Sequence, residues 1–407
     1  MLAGDLAAAS PVLLCGAKGV GKSTYLRYLV NRMLCKHTQI ALLDADVGQS
    51  ECTPAATVNL VILDAPLFSS PFTHTRTPAQ SFFLGEVQPG DMPLEYASAV
   101  SGAFEFYRQH YSHVPLLVNT MGWVKGLGQL LLGEVVSITQ PASIIELLLE
   151  RQSNNLDPPI EQGLPLLSRQ PPPTYSHPPL SHPVHTGPLQ GRCTITKVMS
   201  TAHTGLHTPS LLRPAELRAL VYTSYFLATG PTANCMHTIL EQPTYAVSFS
   251  QVDVVMFAQV APHEALYALN NALVGLSMVR VGSEPQFTLQ TACGESVRLS
   301  FSTDPRAVVG FGIIRVLDTE ADGCFHIITP VPPAWLQGVV TLVCGQVAVP
   351  PKLLQSQRPD HFGVDAPYVT HHVGDASVLG KQARSSRSVC LFACLLVCLF
   401  ACLCVSA

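Results

Sequence analysis

The sequence is short of charge. Only 12% of its 407 residues are Asp, Glu, Lys or Arg, while 47% are hydrophobic; the usual charged share is roughly 25%. A charge-rich disordered chain is therefore excluded. Neither sign dominates: 23 Lys and Arg stand against 27 Asp and Glu, a formal net charge of −4. That excludes a basic coat over the whole surface, so any polyanion has to meet a local basic site. Metal-type cysteine pairs are missing as well. Eight of the 13 cysteines are scattered singly, at 15, 35, 52, 193, 235, 293, 324 and 344, with no CxxC or Cys/His metal spacing among them. Scattered cysteines inside apolar runs predict reduced, buried thiols of an intracellular protein. No secretory leader pattern opens the chain: Met1 to Ser10 is short, carries Asp5 and has no basic region. The folded part shows no repeat period.

What is present is an alternation of strand and helix. At roughly 100–200 residues per domain the length predicts two or three domains. Pro11 to Cys15 reads as an apolar strand, followed by a glycine-rich turn and a helix from Ser23 to Leu34 with Leu26, Leu29, Val30 and Met33 at helical spacing. Further strands are expected over Gln39 to Asp44, Thr57 to Leu63, Val114 to Asn119 and from Ser143, with helices over Leu94 to Tyr111 and from Gly128. This βα alternation predicts an α/β fold with a mostly parallel sheet flanked by helices. Residues 1–150 form the expected core. Residues 151–200 are rich in Pro, His and Ser and read as a flexible insertion. A lid-like helical segment is expected over 201–235. Residues 236–350 read as a smaller β-rich domain, with one helix from about His263 to Leu276. Residues 351–388 read as a loose linker.

The last stretch, 389–407, is apolar and cysteine-rich. Cys-Leu-Phe-Ala-Cys-Leu occurs twice, at 390–395 and 398–403. The repeat is read as a non-functional, low-complexity tail, with a membrane tail anchor and a palmitoylated segment as the alternatives; a membrane partner is expected only if the tail is real.

Gly16-Ala-Lys-Gly-Val-Gly21-Lys22-Ser23 matches G-x-x-x-x-G-K-[ST] between an apolar strand and an amphipathic helix. Glycines let successive backbone N–H groups turn inward and cradle phosphate, and the following helix adds the positive end of its dipole. Gly16, Ala17, Lys18, Gly19, Val20, Gly21, Lys22, Ser23 and Thr24 are the candidate nucleotide contacts. Lys22 would reach the β- and γ-phosphates and the Ser23 hydroxyl would bind Mg²⁺. The Asn-Lys-x-Asp signature of a GTPase is missing, which leaves ATP as the expected nucleotide. After the second strand comes Asp44-Ala-Asp46-Val-Gly-Gln49. Two carboxylates thus leave a strand at its C-terminal edge, where ligands sit in open α/β sheets. One can serve Mg²⁺ and the other can accept a hydroxyl proton.

These residues resemble a known family. Asp-x-Asp-x-Gly-Gln after a phosphate loop is typical of the RNA-processing polynucleotide 5′-hydroxyl kinases. Gly48 to Pro54, Pro71 to Pro78, Phe83 to Gly85 and Asn119-Thr-Met-Gly-Trp123-Val-Lys-Gly126 are similar to its nucleolar, pre-ribosomal-RNA branch. That family has a sizeable domain ahead of the strand that ten residues precede here. The resemblance implies Asp46 as general base on an RNA 5′-OH and Asp44 as its strand-end partner at the metal. It implies substrate contacts from Gln49, Thr73, His74, Arg76 and Thr120, and a stacking face from Trp123. Arg213 and Arg218 fall where the family has two lid arginines. Five residues on a helix turn the second about 140° from the first, so the two need not act together. RNA 5′-OH ends are the implied substrate, DNA an alternative one, and an endoribonuclease of a pre-rRNA processing complex in the nucleolus the implied partner. Two other readings stay open: a nucleotide-binding scaffold of such a complex, and a small-molecule kinase.

Overall fold

A computed structural model describes residues 11–149, 193–200, 212–227, 242–282 and 285–347, with isolated positions between 155 and 166 and at 239 and 349. The bulk of the proline-rich stretch, most of the segments flanking the expected lid helix, and the linker and cysteine-rich tail lie outside the described residues. The chain divides into two units.

The first unit is built on an eight-stranded sheet. Its strands are β1 (Val12–Gly16), β2 (Ile40–Asp44), β3 (Thr57–Leu63), β4 (Gln80–Phe83), β5 (Leu116–Asn119), β6 (Ser143–Leu148) and β7 (Thr194–Met199), with a short strand from far along the chain, Arg306–Ala307 (β13). The spatial order is β13-β4-β3-β2-β5-β1-β6-β7. The five strands from β2 to β7 in that order run parallel. Four of them, β1, β2, β5 and β6, are largely apolar and buried because helices cover both faces: α1 (Lys22–Leu34), α2 (Pro93–His110) and α3 (Leu127–Thr139); β7, at the edge, is partly exposed. The face of α1 that meets the sheet is Leu26, Leu29, Val30 and Met33, the periodic set visible in the sequence. Burying each such side chain contributes about 1.5–3 kcal/mol.

Three features depart from the sequence reading. The sheet is extended by an antiparallel edge, β2–β3–β4–β13, which short connections allow and βα alternation does not reveal. Thr194–Met199, inside the stretch read as an insertion, is strand β7, pairing with β6 from Ser143↔Thr194 to Leu148↔Met199. The span 236–350, read as one β-rich domain, does not stay in one sheet: Arg306–Ala307 joins the first sheet, and the next strand belongs to the second.

The second unit holds most of α4 (Pro214–Leu227) and another eight-stranded sheet, made of β8 (Thr244–Ser248), β9 (Asp253–Met256), β10 (Leu273–Ser277), β11 (Phe287–Gln290), β12 (Ser296–Phe301), β14 (Gly310–Asp318), β15 (Cys324–Ile328) and β16 (Thr341–Cys344). It is mostly antiparallel, and Phe249 and Phe325 meet edge to face in its core. The helix expected from His263 to Leu276 is much shorter. A 3₁₀ turn, Pro262–Glu264, leads into α5 (Ala265–Leu269), and a second short helix, α6 (Pro333–Leu336), follows later. Asn270 is extended and Asn271 takes φ 57°. The apolar run after them pairs on both sides as β10, and tertiary pairing overrides the helical pattern. The thiols also differ among themselves: Cys15, Cys52 and Cys344 are buried, whereas Cys35 is exposed.

Candidate nucleotide and phosphoryl-transfer site

The C-terminal ends of β1, β2 and β5 meet at one edge. The register aligns Leu14 and Asp44 each with Asn119. Gly16 sits deep in the bend, at φ 139°, and a Cβ there would lie 2.5 Å from the Leu147 carbonyl oxygen. Gly19 (φ 80°) and Gly21 (φ 89°) take left-handed backbone with open space where a side chain would be. Gly21 precedes α1 without a side-chain cap. The helix thus starts with uncapped backbone donors facing an open glycine cradle, the arrangement that receives an anion. Val20 and Ala17 are buried supports, and Lys18 and Thr24 are exposed at the rim.

Lys22 is buried, and its Nζ donates to the Gly16 and Ala17 carbonyls at 2.9 and 3.2 Å. Burial holds its pKa below the ordinary lysine value, an effect the Asp46 carboxylate opposes. A desolvated ammonium with donors to spare fits a phosphate. The segment after β5 approaches the same place: a Cβ on Gly122 would lie 2.9 Å from Lys18 Cα and 3.0 Å from Lys22 Nζ. Only glycine allows that approach. Ser23 is half-buried in the first turn of α1.

The two aspartates differ sharply. Asp44 is buried and accepts four hydrogen bonds: Asn119 Nδ2 (2.9 Å) and the Asp46 N–H (3.3 Å) on Oδ1, Ser50 Oγ (2.9 Å) and the Glu51 N–H (2.7 Å) on Oδ2. Burial nonetheless pushes its pKa up to about 6 against those bonds. A carboxylate offers about four acceptor directions, and here they are spent on protein donors. Asp44 is thus a hub of the turn, and direct metal ligation, its expected role, would displace a donor. Asp46 uses only Oδ1, which accepts the Gly48 and Gln49 N–H groups at 3.2 and 3.1 Å. Its pKa is also raised by burial, with Lys22 pulling it back down. Its Oδ2 takes no hydrogen bond among the described residues. Tyr96 Oη donates to the Ala45 carbonyl at 3.0 Å and supports the turn from below.

The remaining expected contacts are distributed unevenly. Trp123 is 41% exposed, with its ring tip near Gly90 and its base against Gly128. Gln49 is exposed. Thr120 is buried and donates to the Leu14 carbonyl at 2.8 Å, tying β5 to β1. Thr73 donates to the Phe68 and Ser70 carbonyls. Arg76 is half-buried and donates to the Thr75 carbonyl. His74 is not a loop histidine open to substrate. It is 5% exposed, with Nδ1 2.9 Å from the Phe68 carbonyl and Nε2 3.0 Å from Glu51 Oε1. Arg213 is exposed just before α4, and Arg218, half-buried on α4, lies close enough to lower the Tyr222 pKa against burial.

Asn119 was legible as a polar end to an apolar strand at the same edge as Asp44, yet it gained no role from that pattern alone. Its Oδ1 is buried and has no hydrogen-bond partner. An orphaned buried acceptor costs about 1–3 kcal/mol. The Asn119 oxygen and the Ser23 hydroxyl are of the kind that a magnesium ion or its waters require.

Residues 16–174 match the family model described as the mRNA cleavage and polyadenylation factor CLP1 P-loop. This stretch is similar to a CLP1-type P-loop domain. Across the wider chain, the polynucleotide 5′-hydroxyl-kinase nol9 of Dictyostelium discoideum is 26% identical over 382 residues, covering 84% of this chain and 55% of that protein. The polynucleotide 5′-hydroxyl-kinase NOL9 of Homo sapiens is 29% identical over 378 residues (88% and 52%), and that of Arabidopsis thaliana 29% over 362 (84% and 87%). The chain spans about half the length of the Dictyostelium and human proteins. A solved structure of Clp1p with Pcf11p overlays 83% of this chain and 75% of that one, with TM-score 0.53 and 13% identity. At that identity the likeness is one of fold.

Proposed function

We propose that the chain is an ATP-dependent polynucleotide 5′-hydroxyl kinase that transfers the γ-phosphoryl group of ATP to the 5′-OH of RNA. The observation that carries the reading is the pairing of Lys22 with a second carboxylate, Asp46, whose Oδ2 is open, at the mouth of a glycine cradle. The relatives named for this activity support it.

In the proposed reaction the 5′-hydroxyl oxygen bonds to the γ-phosphorus while the bond from that phosphorus to the β–γ bridging oxygen breaks. ADP leaves with the bridging electron pair. Asp46 Oδ2 takes the hydroxyl proton; burial raises its basicity above that of an exposed aspartate. Lys22 and the uncapped N–H groups of α1 hold the phosphates in line and balance their charge. Magnesium, when bound, would be held by the Ser23 hydroxyl and would supply further neutralisation of phosphate charge, with Asn119 Oδ1, and Asp44 through its hydrogen bonds, ordering the surrounding oxygens. Trp123 offers a stacking face to the terminal base, worth about 1–3 kcal/mol and indifferent to sequence. Gln49 and Arg76 are further candidate substrate contacts. Arg213 and Arg218 are the candidate lid arginines that the family resemblance implies. The nucleolus, ribosomal-RNA processing and an endoribonuclease that leaves 5′-OH ends complete the reading, as the resemblance of the sequence motifs implies.

The test is transfer of label from γ-labelled ATP to 5′-OH oligonucleotides by the full chain and by Lys22→Ala. The wild type labels RNA, and the variant loses at least about 10²-fold, since each 1.36 kcal/mol of lost transition-state stabilisation is tenfold. Near-full activity of Lys22→Ala would remove this cradle from the chemistry.

A further inference from the structure

We propose that Glu51 is a positioning residue: its buried carboxylate, clamped by Arg27 and His74, locks the Asp44–Asp46 turn to the phosphate-binding helix. The inference rests on the kinase reading for its activity arm only.

Glu51 is 1% exposed. A buried carboxylate persists only where donors compensate for lost water, and here two converge on one oxygen. Arg27 Nε and His74 Nε2 both reach Glu51 Oε1. The three residues come from three different segments. Arg27 lies on α1, one turn beyond Ser23 and five residues past Lys22. Glu51 closes the turn that follows β2. His74 lies in the β3–β4 connection, just after the 3₁₀ turn Pro71–Thr73.

That connection is fastened at more points than a surface loop needs. Asn31, four residues after Arg27 and so on the same face of α1, clamps both polar groups of Leu67: its Oδ1 accepts the Leu67 N–H at 2.8 Å and its Nδ2 donates to the Leu67 carbonyl at 3.0 Å. His74 Nδ1 meets the Phe68 carbonyl. The Arg76 N–H donates to the Cys52 carbonyl at 2.7 Å. The connection is thus a strap joining α1 to residues 51–52.

The output of this strap is the Glu51 backbone. Its N–H makes the shortest of the four bonds to Asp44, 2.7 Å to Oδ2, and Asp44 Oδ1 in turn accepts the Asp46 N–H. A continuous path therefore runs Arg27–Glu51–Asp44–Asp46. It begins on the helix that carries Lys22 and Ser23 and ends at the proposed base. Releasing the Glu51 side chain lets its N–H drift from Asp44 and so lets Asp46 move relative to the phosphates. A displacement of about 1 Å at a reacting group can cost about 10²-fold in rate.

The experiment compares wild type, Glu51→Ala, Glu51→Gln, Arg27→Ala and the Arg27→Ala/Glu51→Ala double variant of the full chain. Three quantities are read: kcat for oligonucleotide phosphorylation, affinity for a fluorescent ATP analogue, and amide hydrogen exchange over residues 44–53. Glu51→Ala should lower kcat by about 10–100-fold while ATP affinity stays within about threefold, because the cradle itself is untouched. Exchange over 44–53 should accelerate. Glu51→Gln keeps an oxygen for both donors and should recover most of the rate. The double variant should lose no more than Glu51→Ala, since the two residues act through one contact. Should Glu51→Ala not fold, Arg27→Ala carries the same signature at smaller size: reduced kcat, retained ATP affinity, faster exchange over 44–53. The proposal is overturned if kcat of Glu51→Ala stays within threefold of wild type, if ATP affinity falls in step with kcat, if Gln is no better than Ala, or if exchange over 44–53 is unchanged. A wild type that binds ATP but labels no oligonucleotide defeats the kinase reading instead, and the exchange comparison still decides the fate of the clamp.

Discussion

Replacing Asp44 by asparagine probes the balance of burial against hydrogen bonding at the centre of the site. Burial raises the Asp44 carboxyl from 3.8 to about 6 in spite of four donors. A proton therefore binds the native state more tightly than the unfolded one. The stability this group contributes is fully present below about pH 4 and is lost as pH rises through 6, with a plateau above. Two units at 1.36 kcal/mol each put the loss on the order of 3 kcal/mol. Asparagine has no such titration. Its amide must instead turn its NH₂ toward one of two backbone donors, the Asp46 N–H or the Glu51 N–H. A protonated Asp44 meets the same donor with its O–H, so asparagine mimics the protonated carboxyl. At pH 4 Asp44→Asn should therefore fold with a stability close to wild type. At neutral pH, where the wild-type carboxyl is ionised, the variant should be the more stable, by on the order of 3 kcal/mol. Urea unfolding followed by circular dichroism from pH 4 to 7.5 reads the difference directly. Wild type minus variant should fall by about 3 kcal/mol across that range. A difference that is flat or grows with pH would mean that the four donors outweigh burial, and the reasoning would fail.

Three other outcomes follow from the same geometry. Gly16→Ala puts a Cβ 2.5 Å from the Leu147 carbonyl at a φ of 139°; thermal unfolding should show a loss of at least about 1–3 kcal/mol, and ATP affinity should fall with it. Asn119→Ala removes a donor to Asp44 and the orphaned Oδ1 together; the magnesium concentration needed for half-maximal phosphorylation should rise severalfold, and an unchanged magnesium dependence would count against the oxygen set described above. Trp123→Ala removes a ring that is 41% exposed; the oligonucleotide KM should rise by about 5–150-fold, the range that 1–3 kcal/mol of stacking converts to, with ATP affinity unaltered.

The phosphate cradle was legible in the sequence because its parts are contiguous. Gly16 to Ser23 act through consecutive backbone N–H groups, so spacing alone encodes the geometry. Four of the five parallel strands, β1, β2, β5 and β6, were legible for a related reason: strands buried on both faces read as apolar runs, and Leu26, Leu29, Val30 and Met33 repeat at the helical period. The antiparallel edge was not. Arg306–Ala307 pairs with Phe82 and Phe83 across more than two hundred residues, and two residues carry no period. The same holds within the site. Asp44 and Asp46 were visible as a pair two apart, but nothing in that spacing says that four donors converge on one and leave an oxygen of the other open. His74 was expected at the substrate because the family resemblance of Pro71 to Pro78 implied it. Its partner is a glutamate 23 positions back, and the pair is made by the turn after β2 and the strap before β4 folding onto α1. Local chemistry is thus written in the motif, whereas the alignment of the proposed base against the phosphates is held by contacts of long sequence separation. Residues of that second kind are found by asking where a buried charge finds its compensation, and at this site the question leads from Asp44 to Glu51 and from Glu51 to Arg27 and His74.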